Sequence, residues 1–369
     1  MKALSIVHTE NSCGWGGQEI RILTEARGFL DRGHRVTLIA PAEAPIAPAA
    51  ERMGIPLARL DIRSKRLAPL LALRRWLGDH RAEIDVVNTH SSTDSWLTAL
   101  ACASLPSPPP IVRTRHVSTT IRNRPTTRWL YTRATAHIVT AGEALKRQLA
   151  HDNAIPLAHM TSIPTGIDLA RFVPGDAASA RTRLGLSERP TLGIVSTLRD
   201  WKGHDDLFEA LARDRAGWRE WNVIVVGDGP HRPKLDRHLA ALDLAHRIRF
   251  VGQQDDVVPW LQALDLFVLP SWGEEGVPQA IMQAMACGIA VVSTTTGAIT
   301  EAVDDRVTGL IVAPRDVAAL GAALATLRDD PALRGRFGTA GRARALADFG
   351  VARMLDRMEA VFRAVLRGT

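Results

Sequence analysis

A short basic loop in the second half of the chain carries the residue types that bind a diphosphate. Arg199 and Lys202 follow an apolar run, and an amphipathic stretch begins at His204. A guanidinium binds phosphate oxygens as a planar fork, and an ammonium binds them as a point charge. Because the loop is expected where a parallel strand ends and a helix begins, it predicts an anion site. A solvated loop without a ligand is the alternative interpretation.

A second loop, residues 271–277, places carboxylates just before a predicted helix. It carries Glu274 and Glu275, and Pro278 is expected to be the first helical residue, with Gly288 closing the helix. Glu275 would then lie beside free backbone amides at a helix N-terminus. A carboxylate accepts hydrogen bonds from sugar hydroxyls, and amides donate to phosphate oxygens, so this loop could hold both.

A glycine loop follows the first predicted strand. Gly16 and Gly17 precede a helix, so a ligand could approach backbone N–H groups and the positive end of the helix dipole. The loop lacks the spacing of a dinucleotide fingerprint, and no acidic residue ends the second strand to hold a ribose. Glycines needed only for a tight turn are the alternative.

The elements that must hold these loops alternate along the chain. Short apolar runs are followed by longer amphipathic stretches, which is typical of parallel, doubly wound α/β sheets. Because the series restarts after residues 163–166, we expect an N-terminal domain at 1–172 and a C-terminal domain at 173–345, with 173–180 as linker. A final helix at 346–369 is expected to pack back toward the N-terminal domain. The predicted strands are 3–7, 35–40, 85–88, 111–114, 137–140, 191–196, 222–226, 247–251, 266–269, 290–293 and 310–312, and predicted helices include 18–32, 143–150, 232–244 and 278–286.

The composition is that of a folded, water-soluble protein. Of 369 residues, 46% are hydrophobic and 23% charged, which excludes disorder of the whole chain. No apolar run reaches the roughly 18 residues that span a bilayer, and His8 and Glu10 interrupt the N-terminus before a secretory signal forms. Three distant cysteines, Cys13, Cys102 and Cys287, give neither a disulfide framework nor a thiolate metal site. We therefore expect a cytoplasmic protein.

Positive charge is concentrated in the first half of the chain. Residues 1–186 hold 24 Lys and Arg against 15 Asp and Glu, a balance of +9, whereas the remaining residues hold 22 against 24, a balance of −2. This asymmetry fits nucleic acid, an anionic membrane surface or a phosphorylated ligand, and an arginine-rich composition without a partner is the alternative. The basic residues do not alternate with exposed aromatic residues, and the chain has one Tyr and eight Phe, so nucleic acid is not expected as a partner.

Residues 63–77 predict an amphipathic helix flanked by cations. Its apolar face would consist of Leu67, Leu70, Leu71 and Leu77. Basic residues beside an apolar face, with a tryptophan at the boundary, are typical of peripheral binding to anionic lipid. We expect the N-terminal half to dock on the inner face of the cytoplasmic membrane. A core helix with solvated arginines is the alternative.

Motifs along nearly the whole chain together resemble glycosyltransferase family 4, a group of retaining enzymes with the GT-B fold. Each motif is short, and their order and spacing carry the resemblance. They are Gly16-Gly17 with Glu19, Asn88-Thr89-His90, Arg115-His116, residues 140–145, residues 165–168 with Phe172, Lys202-Gly203, residues 226–230, residues 250–252, and Pro270-Ser271 leading into Glu275.

The resemblance implies two Rossmann-like domains that face each other across a cleft. The enzyme would move a sugar from a nucleotide-sugar donor, held mainly by the C-terminal domain, to a glycan or lipid-linked acceptor on the N-terminal domain. The pathway would be cell-envelope polysaccharide or lipopolysaccharide biosynthesis. In the donor site, Arg199 and Lys202 would neutralise the diphosphate. Glu275 would hold hydroxyls of the sugar, with help from the amides of Gly276 and Val277.

The resemblance also implies roles for residues of the N-terminal domain. His116 would hydrogen-bond the sugar near the reacting centre and, with Arg199, Lys202 and Glu275, complete the expected catalytic group. The amides of Gly16 and Gly17 would approach the phosphate from the other side. His90 and Arg115 are expected on the acceptor side, where a structural, hydrogen-bonded His90 is the alternative.

Two positions depart from the pattern of the family. Gln283 stands where the family has a second glutamate that binds the ribose, and a glutamine donates as well as accepts. Thr197 stands where an arginine is usual, so Arg199 is expected to bind phosphate instead.

No Asp-x-Asp triplet occurs, and we expect neither a metal nor another cofactor. A nucleotide-sugar epimerase or a phosphorylase of the same fold is the alternative enzyme, and a basic nucleic-acid-binding protein is the alternative of another class.

Overall fold

The computed structural model of the chain describes residues 2–117, 119–273 and 275–368. It contains two compact units, one formed by Met1–Gly166 with Val351–Thr369 and the other by Ile167–Gly350. The N-terminal segment of the first unit thus ends at Gly166, where residue 172 was expected, and the second unit extends to Gly350, where residue 345 was expected.

The first unit contains a seven-stranded parallel sheet. Its strands are β1 (Ser5–Thr9), β2 (Arg35–Ala40), β3 (Leu57–Arg59), β4 (Val86–Thr89), β5 (Ile111–Arg115), β6 (His137–Thr140) and β7 (Met160–Ser162). The order across the sheet is β3-β2-β1-β4-β5-β6-β7. The predicted first strand at residues 3–7 is confirmed with its bounds moved by two residues, because the polar His8 and Thr9 continue the strand and pair with Leu38 and Ile39. The sequence pattern does not predict β3 and β7, because these edge strands of three residues each are too short for a periodic signal.

In the described part of residues 1–166, six helices cover the two faces of this sheet, and the last helix of the chain joins them. They are α1 (Gly17–Asp31), α2 (Ile46–Arg52), α3 (Leu67–His80), α4 (Ser92–Ala103), α5 (Pro125–Thr132) and α6 (Glu143–Asn153). Because strand side chains alternate, Ile6 packs with Ile22 of α1 on one face, whereas Val7 packs with Leu73 of α3 on the other. The sheet is therefore buried on both sides, as parallel sheets are.

The second unit repeats the architecture with a six-stranded parallel sheet. Its strands are β8 (Thr191–Val195), β9 (Asn222–Val226), β10 (Ile248–Gly252), β11 (Leu266–Leu269), β12 (Ala290–Thr294) and β13 (Gly309–Val312), in the order β10-β9-β8-β11-β12-β13. Its helices are α7 (Ala177–Arg183), α8 (His204–Arg213), α9 (Arg232–Ala241), α10 (Val258–Gln262), α11 (Gln279–Ala286), α12 (Val317–Asp329) and α13 (Pro331–Asp348). Short 3-10 helices lie at Arg81–Glu83, Leu157–His159, Asp200–Lys202 and Ile299–Glu301. The expected fold class, two doubly wound Rossmann-like α/β domains, is confirmed.

The last helix of the chain, α14 (Val351–Arg367), packs against α1 of the first unit. Met358 and Phe362 are fully buried in the same core as Ile22. A fully buried side chain of this size contributes about 1.5–3 kcal/mol through removal of apolar surface from water. Gly28 permits the close approach, since a Cβ there would lie 2.5 Å from Leu355.

Two local expectations are wrong. The segment 173–180 is not a free linker, because Gln262 Nε2 donates to Val173 O at 3.1 Å and Ala177 already begins α7. Pro278 is the N-cap of α11 rather than its first helical residue, since its ψ of 124° is extended. Its carbonyl still accepts from Met282 N at 3.2 Å, so the helix starts at Gln279.

Helix α3 buries a different set of leucines from the set that the sequence pattern predicts to share one face. Leu77 and Leu73 are fully buried, whereas Leu67 and Leu71 are 69% and 53% exposed. Leu70 is half-buried against the core, so the expected four-leucine face does not exist. The reason is that α3 covers the sheet, and one stripe of the helix must face the core. Within the described ranges, no helix combines the length and the apolar character needed to cross a membrane.

Candidate functional site

Polar side chains collect where the strand order of each sheet reverses. In the first unit this point lies between β1 and β4, and in the second between β8 and β11. The connections leave these neighbouring strands toward opposite sides, and ligands of doubly wound sheets bind in the crevice this leaves at the carboxyl ends of the strands. Each unit therefore carries its own candidate site.

In the second unit, Lys202 and Glu275 form an ion pair at this position. Lys202 Nζ lies 2.6 Å from Glu275 Oε1, and the Ser271 hydroxyl donates to the same oxygen at 2.6 Å. The side chains of Lys202 and Glu275 are only 17% and 6% exposed, so both charges are largely withdrawn from water. A pair in such surroundings depends on additional hydrogen bonds, and Ser271 supplies one.

Backbone contacts hold the two loops of this pair against each other. Trp272 N donates to Trp201 O at 2.8 Å, and the indole Nε1 of Trp272 donates to Asp200 O at 3.0 Å. Gly203 has a φ of +75°, and a Cβ at this position would collide with Pro270 O. Glycine alone tolerates both the conformation and the approach. The position of the ion pair is therefore set by the backbones of its two loops.

Two predicted donor-site residues lie apart from the pair. The exposed Arg199 guanidinium lies 5.3 Å from the ring centroid of Trp201. Gln283 is half-buried on α11. Among the described residues, no side-chain hydrogen bond or ion pair joins either of them to Lys202 or Glu275. The structure thus brings together Lys202, Glu275 and Ser271.

The turn before α11 offers unused backbone donors. Within the described part of the chain, no acceptor lies on the amide N–H of Gly276 or Val277. The Glu275 carbonyl instead accepts from Ala298 N at 3.3 Å, and the left-handed Gly297, with a φ of +58°, allows that contact. Two amides beside a helix N-terminus form a site suited to an anion or a polar ligand oxygen. Glu274 lies outside the described residues.

In the first unit, three histidines stand at the end of neighbouring strands. His8 Nδ1 lies 2.9 Å from His90 Nε2, and His90 Nδ1 lies 3.0 Å from His116 Nε2. Burial is the largest cause that lowers the pKa of His8 to about 3 and the pKa of His90 and His116 well below the usual value. The Arg21 cation lowers all three further, so the rings are neutral at pH 7.

Acidic side chains are buried next to these histidines. Asp94 Oδ2 accepts from Thr9 Oγ1 at 2.7 Å and from His90 N at 3.0 Å. Glu10 Oε1 accepts from Ser12 N and from Ser91 Oγ, both at 2.7 Å. Burial raises the pKa of Asp94 to about 6, and burial together with the nearby Asp94 raises the pKa of Glu10 to about 8. The carboxyl of Glu10 therefore carries a proton over part of the neutral pH range.

The other site residues predicted in the first unit are Gly16, Gly17, Arg115 and His90, and each lies next to a strand or helix end. Gly16 is the N-cap of α1, and Gly17 is its first residue. The Arg115 guanidinium donates to Tyr131 Oη at 2.6 Å and to Thr119 O at 2.7 Å, which ties the loop after β5 to α5. His90 links His8 to His116.

Sequence reasoning missed His8, Asp94 and Ser271 as site residues. The signal available for His8 was a polar residue that ends an apolar run, which marks the carboxyl end of a strand in a doubly wound sheet. Ser271 directly follows Pro270 after such a strand. Asp94 gave no signal, because it reaches the site from the first turn of α4. Across the described residues, no group of three or more His, Cys, Asp or Glu side chains is arranged to hold a metal ion.

Comparison with known proteins assigns both units to one class. The profile described as "Glycosyltransferase Family 4" matches residues 15–171, and the profile described as "Glycosyl transferases group 1" matches residues 189–330. The lipopolysaccharide core biosynthesis mannosyltransferase LpcC of Rhizobium leguminosarum biovar viciae is 32% identical over 246 residues, which cover 65% of this chain and 67% of that protein. The chain belongs to the family 4 glycosyltransferases.

Another relative has a similar sequence, and solved structures share the fold. A GDP-mannose-dependent mannosyltransferase of monoacylated phosphatidylinositol monomannoside from Corynebacterium glutamicum is 31% identical over 214 residues, 55% of this chain and 55% of that protein. This chain thus spans about half the length of that relative. A glycosyltransferase of Rickettsia africae has the same fold, with a TM-score of 0.89 over 100% of both chains at 19% identity. Anabaena HepE, solved in complex with UDP-glucose, has a TM-score of 0.86 at 21% identity, over 98% of this chain and 100% of that one.

Proposed function

We propose that this chain is a metal-independent, retaining glycosyltransferase that moves a sugar from a nucleotide-sugar donor to a glycan or lipid-linked acceptor. Membership of family 4 supports the reaction class. The observation that carries the proposal is the ion pair of Lys202 with Glu275, at the point where the strand order of the second sheet reverses. The comparisons give no support to an epimerase, a phosphorylase or a nucleic-acid-binding protein.

The second unit is proposed to bind the donor. The Lys202 ammonium would move from Glu275 to the diphosphate, whose negative charge it neutralises without a metal ion. Glu275 would then accept hydrogen bonds from sugar hydroxyls. The free amides of Gly276 and Val277 would donate to the same ligand. Arg199, exposed on its loop, is proposed as a second phosphate-binding cation.

The proposed reaction needs no covalent enzyme intermediate. The bond between the anomeric carbon and the diphosphate oxygen breaks, and the acceptor oxygen forms a bond to the same face of that carbon. The acceptor proton passes to the leaving diphosphate. His116 is proposed as the residue of the first unit that hydrogen-bonds the transferred sugar. Preorganised donors and cations would stabilise the charge that develops on the leaving diphosphate.

The donor and acceptor are proposed from the relatives. The Corynebacterium relative is named for GDP-mannose and a phosphatidylinositol mannoside, and LpcC is named for the lipopolysaccharide core. We therefore propose a nucleotide-linked hexose as donor and a lipid-linked glycan as acceptor. The pathway would be cell-envelope polysaccharide or lipopolysaccharide biosynthesis. A cytoplasmic location on the inner membrane face would bring the enzyme to such an acceptor.

Contact with the membrane is proposed for α3. Leu67 and Leu71 are exposed one helical turn apart, and the neighbouring Arg66, Arg74 and Arg75 are exposed cations. Arg63 donates to Asp61 at 2.7 Å, and Arg75 lies 3.9 Å from Asp79, so both of these cations are partly neutralised. Exposed apolar side chains flanked by cations favour an anionic lipid surface.

A ligand screen tests the proposed function. The melting temperature of the chain is measured with UDP, GDP, ADP and their sugars, because a ligand that binds only the folded state at 100 times its Kd adds about 2.7 kcal/mol to the free energy of unfolding. Stabilisation by one nucleotide series, lost in Lys202→Ala, supports the donor site. Release of that nucleotide only in the presence of a glycan acceptor supports transfer. No stabilisation by any of these nucleotides contradicts the proposal.

A further inference from the structure

The three histidines of the first unit form one continuous chain of rings. His8 lies in β1, His90 directly follows β4 and His116 directly follows β5, and these strands are neighbours in the sheet. The ring centroids are 5.2 Å and 5.3 Å apart, with interplanar angles of 19° and 29°. Adjacent strands lie about 4.8 Å apart, so the sheet itself stacks the rings.

The hydrogen bonds between the rings fix their tautomers together. A neutral imidazole has one N–H donor and one bare acceptor nitrogen. If His8 donates from Nδ1, then His90 accepts at Nε2 and must donate from Nδ1 to Nε2 of His116. If His116 donates from Nε2 instead, every ring reverses, and His8 ends with an N–H at Nε2. Only these two arrangements satisfy both contacts.

The buried end of the chain selects between these two arrangements. His8 Nε2 is buried and has no partner among the described residues. The field of the Arg21 cation disfavours positive charge on the His8 ring, so it favours a bare Nε2 over an N–H at this nitrogen. The reversed arrangement would also bury an N–H without an acceptor at His8 Nε2, whereas the other arrangement places the unpaired N–H on the half-buried His116. The arrangement in which His8 donates from Nδ1 is therefore the more stable one.

We propose that His8 and His90 are positioning residues that hold His116 as the Nδ1–H tautomer, with that N–H free to donate to a ligand oxygen. His116 Nδ1 has no partner among the described residues. An isolated histidine side chain prefers the opposite tautomer, so the ring chain reverses the intrinsic preference. The use of this N–H in catalysis rests on the proposed function, whereas the tautomer itself does not.

NMR of the folded chain tests the tautomer directly. Long-range proton–nitrogen correlations of protein labelled with ¹⁵N in the histidine rings distinguish protonated from bare nitrogens. His116 is assigned by the signal that disappears in His116→Gln. We expect a protonated Nδ1 and a bare Nε2 for His116 in the wild-type chain. A protonated Nε2 on His116 overturns the proposal, and this measurement needs no activity.

Variants of the middle ring test the coupling. His90→Leu removes the donor to His116, and we expect His116 to return to the Nε2–H tautomer. His90→Asn keeps a side-chain N–H near the position of Nδ1 and should preserve the wild-type pattern. His80→Gln is the matched control, because His80 is exposed and its ring contacts, among the described residues, are with Trp76 of its own helix. An unchanged His116 signal in folded His90→Leu overturns the proposal.

Kinetics add a second measurement. We expect His90→Leu to lower kcat about fivefold to tenfold, the effect of one hydrogen bond, while KM for the donor stays near the wild-type value. His90→Asn should restore most of kcat. A rise in donor KM without a fall in kcat contradicts a positioning role for His90. If no donor is turned over at all, the proposed function fails, and the ring NMR still decides the tautomer.

Discussion

The ammonium of Lys202 lies 2.6 Å from a carboxylate oxygen of Glu275, although the two residues are on different loops of the second sheet. Neither side chain can be removed without leaving the other charge poorly solvated. Because Ser271 donates to the same carboxylate oxygen, Glu275 keeps one partner when Lys202 is withdrawn. The pair is thus suited to open when an anionic ligand competes for the ammonium.

Removal of either charge should weaken donor binding. Lys202→Ala removes a charge-assisted contact of about 1.5–3 kcal/mol, so kcat/KM should fall about ten- to a hundredfold. Glu275→Ala should cost at least as much. The control Lys234→Ala removes an equal charge from a side chain that is 63% exposed. Steady-state kinetics measure the effect, and circular dichroism checks the fold. Wild-type turnover in both variants would falsify the site assignment.

Gln283 should tolerate a carboxylate. Gln283→Glu restores the residue type that the family pattern has at this position, and we expect equal or tighter donor binding, because a carboxylate accepts from both ribose hydroxyls. Gln253→Glu, on an exposed residue, controls for the added charge. Isothermal titration with the nucleotide measures both. A loss of binding confined to Gln283→Glu would mean that the donated N–H of the glutamine is needed.

Activity should persist in the presence of a chelator. Cationic side chains and backbone amides are proposed to neutralise the diphosphate, so EDTA should leave turnover unchanged. The assay is run with and without EDTA, and then with added Mg²⁺ or Mn²⁺. Loss of turnover in EDTA, restored by either ion, would contradict the proposed donor site.

Stability should fall as the pH rises from about 7 to about 8. Burial raises the pKa of Glu10 from 4.5 to about 8, so its stabilising contribution is complete below pH 4.5 and is lost as the pH rises through 8. The buried histidines act oppositely, since the lowered pKa of His8 weakens the fold only as the pH falls below about 6.5. Thermal unfolding at each pH measures the slope.

Glu10→Gln should flatten this slope between pH 7 and 8, because the amide does not titrate. Burial also raises the pKa of Glu25 to about 7, so a smaller decline should remain. Glu83→Gln, on an exposed residue of the same unit, is the control and should leave the slope unchanged. An equal slope in wild type and Glu10→Gln would show that the Glu10 carboxyl ionises at an ordinary pH.

The chain should bind anionic vesicles through α3. Leu67→Ser with Leu71→Ser should weaken sedimentation with anionic liposomes, because both leucines are exposed beside cations. Leu346→Ser is the matched control, since Leu346 is also an exposed helical leucine, at 48%, but lies in the second unit. Added salt should reduce binding. Equal binding to neutral and anionic vesicles, or none to either, would refute the membrane proposal and leave the transferase proposal intact.

The sequence by itself determined the fold class and the main loops of the donor site. Apolar runs such as β9 and β11 lie where the alternation predicted them, because a strand buried on both faces must be apolar throughout. The loops of Lys202 and Glu275 were found because polar residues directly follow such strands. Family membership was likewise readable from the order of the short motifs.

Only the tertiary structure decided which of these residues meet. Lys202 and Glu275 are far apart in the chain, and β8 and β11 become neighbours only because the strand order reverses between them. The stacking of His8 on His90 depends equally on the pairing of β1 with β4. The buried face of α3 was misassigned because periodicity gives a stripe of leucines but not the side on which the sheet lies. Local patterns specify elements, whereas strand order and packing specify contacts.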